Sequence, residues 1–313
     1  MRILIHFGSK SNSYGVTPEE AGKILNDMTQ ARHEYVYPRS DSVAELADLV
    51  RDVDVIIGTS ATLDAKAAKP LREAKRLRLI QSVGTGVESF PLDSIRSRHV
   101  YLANISGANA VAVAEHAFAL MLAVAKRICE KNAELKNGVF ARGVPLVQFE
   151  GKTLAVVGLG AIGRELAKRA LAFEMRVVAV KRHPKNSAGF PASEVAGVDR
   201  LSGLLKQAEF VVVTVPLTQE TRGMIGEAEL RSMKPTVILV NVGRGQVIDE
   251  SALFRALTEG WIAKAGIDAW YAYPPDPQTP SPVGIHKLPN VVATPLIGST
   301  TPESISRIFK IVA

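Results

Sequence analysis

The stretch TLAVVGLGAIGRELAKRALAFEMRVVAVKRHP, residues 153–184, constrains the fold more than any other part of this chain. An apolar strand runs straight into Gly158-Leu159-Gly160-Ala161-Ile162-Gly163, a helical pattern follows, and a second β-rich run lies beyond it. Strand, turn, helix and strand in that order demand a parallel crossover. The three glycines permit a tight turn, close approach of a diphosphate and close strand–helix packing, with the helix N-terminus facing the phosphates. A glycine-rich turn without a ligand is the alternative. The elements on both sides favour a dinucleotide site made by Gly158, Gly160, Ala161, Ile162 and Gly163.

A site of this kind that takes NAD places an acid about twenty residues on, where it bonds the ribose 2′-hydroxyl. Here the second strand ends in Val180-Lys181-Arg182-His183. Lys181 and Arg182 suit a 2′-phosphate, because guanidinium and phosphate pair in a fork geometry. NADP is therefore the expected cofactor, with NAD the second possibility.

Short β-rich runs alternate with helical patterns along the whole chain, which places it in the α/β class with parallel sheets. The first series covers 3–7, 34–37, 53–58, 77–83 and 100–103. The second covers 153–158, 176–180, 210–214, 237–241, 263–268 and 291–293. Two series imply two doubly wound domains, with a long helix near Asn109 carrying the chain between them.

The net charge of +7 is spread along the sequence, with no block of five or six like charges. Solubility and attraction of an anionic ligand account for it, and a nucleic-acid partner is not expected. One cysteine, Cys129, cannot form an internal disulfide, so a reducing, cytoplasmic setting is expected. The N-terminal MRILIHF enters a strand at once and lacks a signal-peptide layout. The most apolar helical stretch, 109–125, is interrupted by Glu115 and His116, which suits a buried or subunit-contact helix and not a membrane span. No metal site is expected.

From about Val83 to Pro295 the motifs resemble the D-2-hydroxyacid dehydrogenase family, the NAD(P)-dependent reductases of 2-keto acids. The matching stretches are VGTGVES, NISGANAVAVAEHAFALML, GLGAIGRELAKRA, VPLTQETRGMIGEAEL, NVGRGQVIDESAL, AGIDAW and PNVVATP, in the family's order. The resemblance implies a flavodoxin-like substrate domain, 1–102 plus 287–313, with a Rossmann NAD(P)-binding domain, 103–286, inserted in it. It implies a small 2-keto or 2-hydroxy acid substrate bound in the cleft, chemistry like that of glyoxylate and hydroxypyruvate reductases, and a homodimer joined through the cofactor domains.

Residue by residue, Arg244 in NVGRG is similar to the arginine that holds the substrate carboxylate and polarises its carbonyl. A permanent planar cation suits that task, and a structural ion pair is the alternative. Gly84, Thr85 and Gly86 resemble the loop whose N–H groups receive the same carboxylate. Asp268 resembles the acid that holds the nicotinamide carboxamide, or it caps a turn. Thr214 and Pro216 lie in a segment resembling the one that flanks the adenosine half. Asp249 reads as a helix N-cap, and His116 as a structural residue.

Two positions depart from the family. Its proton donor is a histidine after Thr-Pro, and Leu296 stands there; the partner glutamate is replaced by Tyr273. Tyr273 is the candidate substitute acid, with packing beside Pro274 and Pro275 as the alternative. The paired loss leaves two expectations: an oxidoreductase with altered acid–base residues, or a catalytically impaired nucleotide-binding regulator or sensor.

Overall fold

The structure is a computed structural model that describes residues 1–7, 15–30, 33–184, 189–273 and 279–313. The chain divides into two compact units, 1–109 with 300–313, and 110–299.

The first unit runs β1 (Arg2–His6), α1 (Pro18–Thr29), β2 (Glu34–Val36), α2 (Val43–Leu49), β3 (Val55–Gly58), α3 (Ala68–Glu73), β4 (Leu79–Ser82), α4 (Leu92–Ser97) and β5 (Tyr101–Ala103). Its five strands are all parallel in the order β2-β1-β3-β4-β5, the flavodoxin-like arrangement. Side chains alternate along each strand, so both faces bury apolar groups. Leu4, Ile56 and Ile80 face one layer; Ile3, Ile5 and Ile57 face the other.

The second unit comprises α5 (Ala110–Ala125), α6 (Ile128–Lys136), β6 (Thr153–Val157), α7 (Ala161–Ala172), β7 (Arg176–Val180), β8 (Glu194–Ala196), α8 (Leu201–Leu205), β9 (Phe210–Val213), α9 (Glu227–Ser232), β10 (Ile238–Asn241), α10 (Glu250–Thr258), β11 (Lys264–Ile267) and β12 (Val291–Ala293). The sheet order is β12-β11-β10-β9-β6-β7-β8, again wholly parallel. From β8 inward this is the Rossmann order, with its switch point between β6 and β9. The chain then returns to the first unit as α11 (Pro302–Val312), whose Ile308 and Phe309 pack with Ile3, Ile5, Ala21 and Leu25. Thr301 caps that helix by accepting from Ser304 N at 3.1 Å.

Three details differ from the sequence reading, the first being that the opening segment of the first unit runs to 109 and not 102. Strand β8 was not expected; it is three residues long, yet it pairs with β7 at the sheet edge. The return to the first unit falls at 300 and not at 287, because β12 pairs with β11 and belongs to the seven-stranded sheet. Among the described residues, no helix is long and apolar enough to cross a membrane.

Candidate active site

Strand register puts the candidate residues in line. Ala196, Val180, Val157, Val213, Asn241, Ile267 and Ala293 form one row across the sheet at its carboxyl edge. The residues after the row members, Gly197 at the sheet edge excepted, extend the ladder by one hydrogen bond each, Val242 N–H donating to Val213 O. Lys181 N–H donates to Ala196 O, Gly158 N–H to Val180 O, and Thr214 N–H to Val157 O. Asp268 N–H donates to Asn241 O, and Thr294 N–H to Ile267 O. Lys181, Gly158, Thr214, Asp268 and Thr294 therefore leave the sheet side by side, where open α/β sheets bind ligands.

The glycine turn is built for close approach. Gly158 has φ +108, and a Cβ there would meet Val215 Cγ1 at 2.7 Å and Thr214 Oγ1 at 2.9 Å. A Cβ on Gly163 would meet Gly158 O at 2.3 Å, which fixes glycine at both positions. Thr214 Oγ1 donates to Gly158 O at 2.6 Å and locks the turn. Above Gly160 a Cβ would find nothing within 4 Å. No side chain caps α7 at Gly160, so the helix offers its first N–H groups to whatever occupies that space. Open space over the glycine and uncapped amides at a helix start fit a diphosphate.

The arginine loop is equally constrained. Gly243 N–H donates to Asn241 Oδ1 at 3.0 Å, and Asn241 Nδ2 donates to Arg244 O at 3.0 Å. Arg244 Nη1 donates to Gly243 O at 2.9 Å. A Cβ on Gly245 would lie 2.3 Å from the Trp270 backbone, so the turn after Arg244 rests directly on the segment after β11. Gln246 Nε2 donates to Tyr271 O at 3.0 Å and ties the two together.

Asp268 organises the loop after β12. The residue is 3% exposed. Oδ1 accepts from Thr294 Oγ1 at 2.6 Å and Ile297 N at 3.0 Å, and Oδ2 accepts from Gly298 N at 3.1 Å. A carboxylate offers about four lone-pair sites, so one on Oδ2 remains for a further donor. Thr294 spends its only proton on Asp268, so at 3.0 Å it accepts from His116 Nε2, which must carry a hydrogen. Burial works to raise the Asp268 pKa, but His116, whose Nε2 also lies 3.4 Å from Oδ1, together with the bonds from Thr294 and the two amides, outweighs it and holds the group below the ordinary aspartate value. Trp270 Nε1 completes the brace by donating to Thr294 O at 2.8 Å. Sequence reading gave His116 a structural role without a partner, and no signal in the sequence pairs it with a threonine 178 positions away.

In this frame Leu296 sits at φ +57, and the residue is 39% exposed. Bulky residues rarely occupy the left-handed region, and such outliers cluster at functional loops. Tyr273 is 41% exposed; Pro274 and Pro275 lie outside the described residues. Asp249 is the N-cap of α10, accepting from Ala252 N at 2.8 Å. In the first unit, Gly84 N–H donates to Ser82 Oγ at 3.1 Å and Thr85 O accepts from Asn104 Nδ2 at 2.9 Å. The amides of Thr85 and Gly86 have no acceptor among the described residues.

Residues 118–298 match the family model described as the D-isomer specific 2-hydroxyacid dehydrogenase, NAD binding domain. The chain belongs to this family. A glyoxylate reductase of Thermococcus litoralis is 37% identical over 88% of this chain and 83% of its own length. A hydroxypyruvate reductase of Thermotoga maritima is 36% identical over 84% of each. The crystal structure of a D-lactate dehydrogenase from Aquifex aeolicus, complexed with NAD and lactic acid, superposes with a TM-score of 0.82 at 25% identity, covering 99% of this chain and 92% of that one. As a 2-hydroxyacid dehydrogenase by family, the chain is an oxidoreductase whose seven-stranded unit carries the nicotinamide-dinucleotide domain.

Proposed function

We propose that this 2-hydroxyacid dehydrogenase reduces a small 2-keto acid, glyoxylate or hydroxypyruvate in kind, with NADPH and with altered acid–base residues. One observation carries the reading: the register row that delivers Lys181, Gly158, Thr214, Asp268 and Thr294 together at the carboxyl edge of one sheet.

Gly158, Gly160, Ala161, Ile162 and Gly163 would hold the diphosphate, Thr214 and Pro216 would flank the adenosine half, and Lys181 with Arg182 would receive the 2′-phosphate. Asp268 would offer its remaining lone pair to the carboxamide. Bound there, the nicotinamide supplies or takes a hydride. Arg244 pairs with the substrate carboxylate and draws electron density from the carbonyl, and Gly84, Thr85 and Gly86 are assigned to substrate binding as the resemblance implies.

The reduced carbonyl needs a proton. A positioned general acid contributes about 10²–10⁴-fold, and Leu296 has no proton to give. Tyr273 is the candidate donor, with solvent as the slower source. The same replacement favours a second reading, a nucleotide-binding regulator with little or no turnover. Partner and setting follow the family: a homodimer through the second unit, supported by the exposed Ile128, Leu135, Val139, Phe140 and Leu146, in a cytoplasmic setting that suits the free Cys129.

The test combines NADPH and NADH titration with a 2-keto acid panel, on wild type, Arg244→Ala and Leu296→His/Tyr273→Glu. The expected outcome is tighter NADPH binding, slow turnover lost in Arg244→Ala, and a gain of about 10²-fold in the double variant. Tighter NADH binding would overturn the cofactor assignment. No gain in a folded double variant would overturn the altered acid–base account, and no turnover at all would favour the regulator.

A further inference from the structure

The two cations of the strand end are not equivalent in the structure. Arg182 is exposed, and its Nη2 lies 3.8 Å from Glu220 Oε2, so a carboxylate already opposes its charge. Lys181 is placed differently. Its Nζ stands 4.3 Å from the centre of the Phe190 ring, and Arg164 Cζ stands 4.2 Å from the same centre. Arg164 is the first residue after Gly163, at the start of α7. Phe190 therefore gathers one cation from the helix that opens the dinucleotide site and one from the strand that closes it. The sum of the two distances bounds their separation at about 8.5 Å. A phosphate that accepts charge-assisted bonds of about 2.8 Å from each needs the two cations within that bound and on one side of the ring. Among the described residues, Arg164 has no carboxylate within 4.0 Å.

We infer that Arg164 and Lys181, held on the Phe190 ring, form the clamp for the cofactor's 2′-phosphate, with Arg182 in a minor role. The inference rests on the NADP preference proposed above. The ring's negative face attracts both cations and restricts side chains that would otherwise sample many rotamers. A dianion between the two relieves their mutual repulsion, whereas a 2′-hydroxyl does not. The pairing thus discriminates by charge and leaves the diphosphate cradle untouched.

The test is a set of binding titrations on the whole protein with NADPH, NADH and 2′,5′-ADP. Arg164→Gln should weaken NADPH and 2′,5′-ADP about tenfold and leave NADH within about twofold. Phe190→Leu, which keeps apolar bulk and removes the ring, should shift NADPH in the same direction by a smaller factor. Arg182→Gln should weaken NADPH by a smaller factor than Arg164→Gln. Retained NADH affinity reports that each variant is folded. Equal weakening of both nucleotides by Arg164→Gln, no weakening of either, or a larger effect from Arg182→Gln overturns the clamp. If wild type itself binds NADH more tightly, the NADP reading falls and the inference with it; an NADPH preference that survives Arg164→Gln overturns the inference alone.

Discussion

Asp268 shows how one carboxylate sets the shape of a loop. It gathers a hydroxyl and two amides that would otherwise be buried without acceptors. Asp268→Asn keeps the volume but loses the charge and turns a donor toward other donors. It should cost about 2–3 kcal/mol, read by denaturant unfolding. The pH dependence has a definite sign. The folded pKa lies below the unfolded one, so the unfolded chain binds a proton first as pH falls. The group's contribution is complete above the ordinary value near pH 4 and is lost progressively below it. Exchange protection of 294–298, referred to the intrinsic amide rate at each pH, should fall in that window and not between pH 5 and 8. Leu296 carries a separate cost, its left-handed backbone. Asparagine tolerates that conformation and a β-branched residue does not, so Leu296→Asn should exceed Leu296→Val in stability by about 1 kcal/mol or more. Equal stabilities would show that the positive φ is not a strain on this loop.

At the scale of elements, the β6–α7 join is the tightest piece of the second unit. Gly163→Ala would drive its methyl to 2.3 Å from Gly158 O, a backbone atom that cannot swing aside. The expected outcome is loss of measurable dinucleotide binding and a fall of about 2 kcal/mol or more in stability. Gly160→Ala, with open space above it, should keep the stability and lose affinity alone. This join was legible in the sequence because its requirements are local: apolar strand, three glycines, helix. The same holds for the eleven strands read from their patterns, and for Asp249 as a cap. What stayed hidden depends on contacts between distant segments. Strand β8 has no pattern of its own and exists by pairing with β7. The Gly84 amide is already occupied by Ser82, a matter of hydroxyl geometry that no motif encodes. The Arg164–Phe190–Lys181 cluster joins a helix, a strand end and a loop.

At the scale of the whole molecule, the chain leaves its first unit at 109 and comes back at 300. The first unit's core is thus completed by residues about two hundred positions from the rest of it, Ile308 and Phe309 on α11. Phe309→Ala should destabilise by about 3–5 kcal/mol. Exchange protection should fall in β1, α1 and α11 while the seven-stranded unit keeps its own. Uniform loss across both units would mean that the two fold as a single cooperative block.

That late return also fixes an order of events when the chain is made from its N-terminus. The strands of the first sheet emerge early, yet the face that α11 covers stays bare until residues 302–312 leave the ribosome. The second unit, continuous from 110 to 299, has all its parts before then. The nascent chain therefore passes through a stage in which a complete dinucleotide domain is tethered to an unfinished neighbour with apolar side chains still open to solvent. Free cofactor in the surroundings can stabilise the finished half by mass action while the other waits.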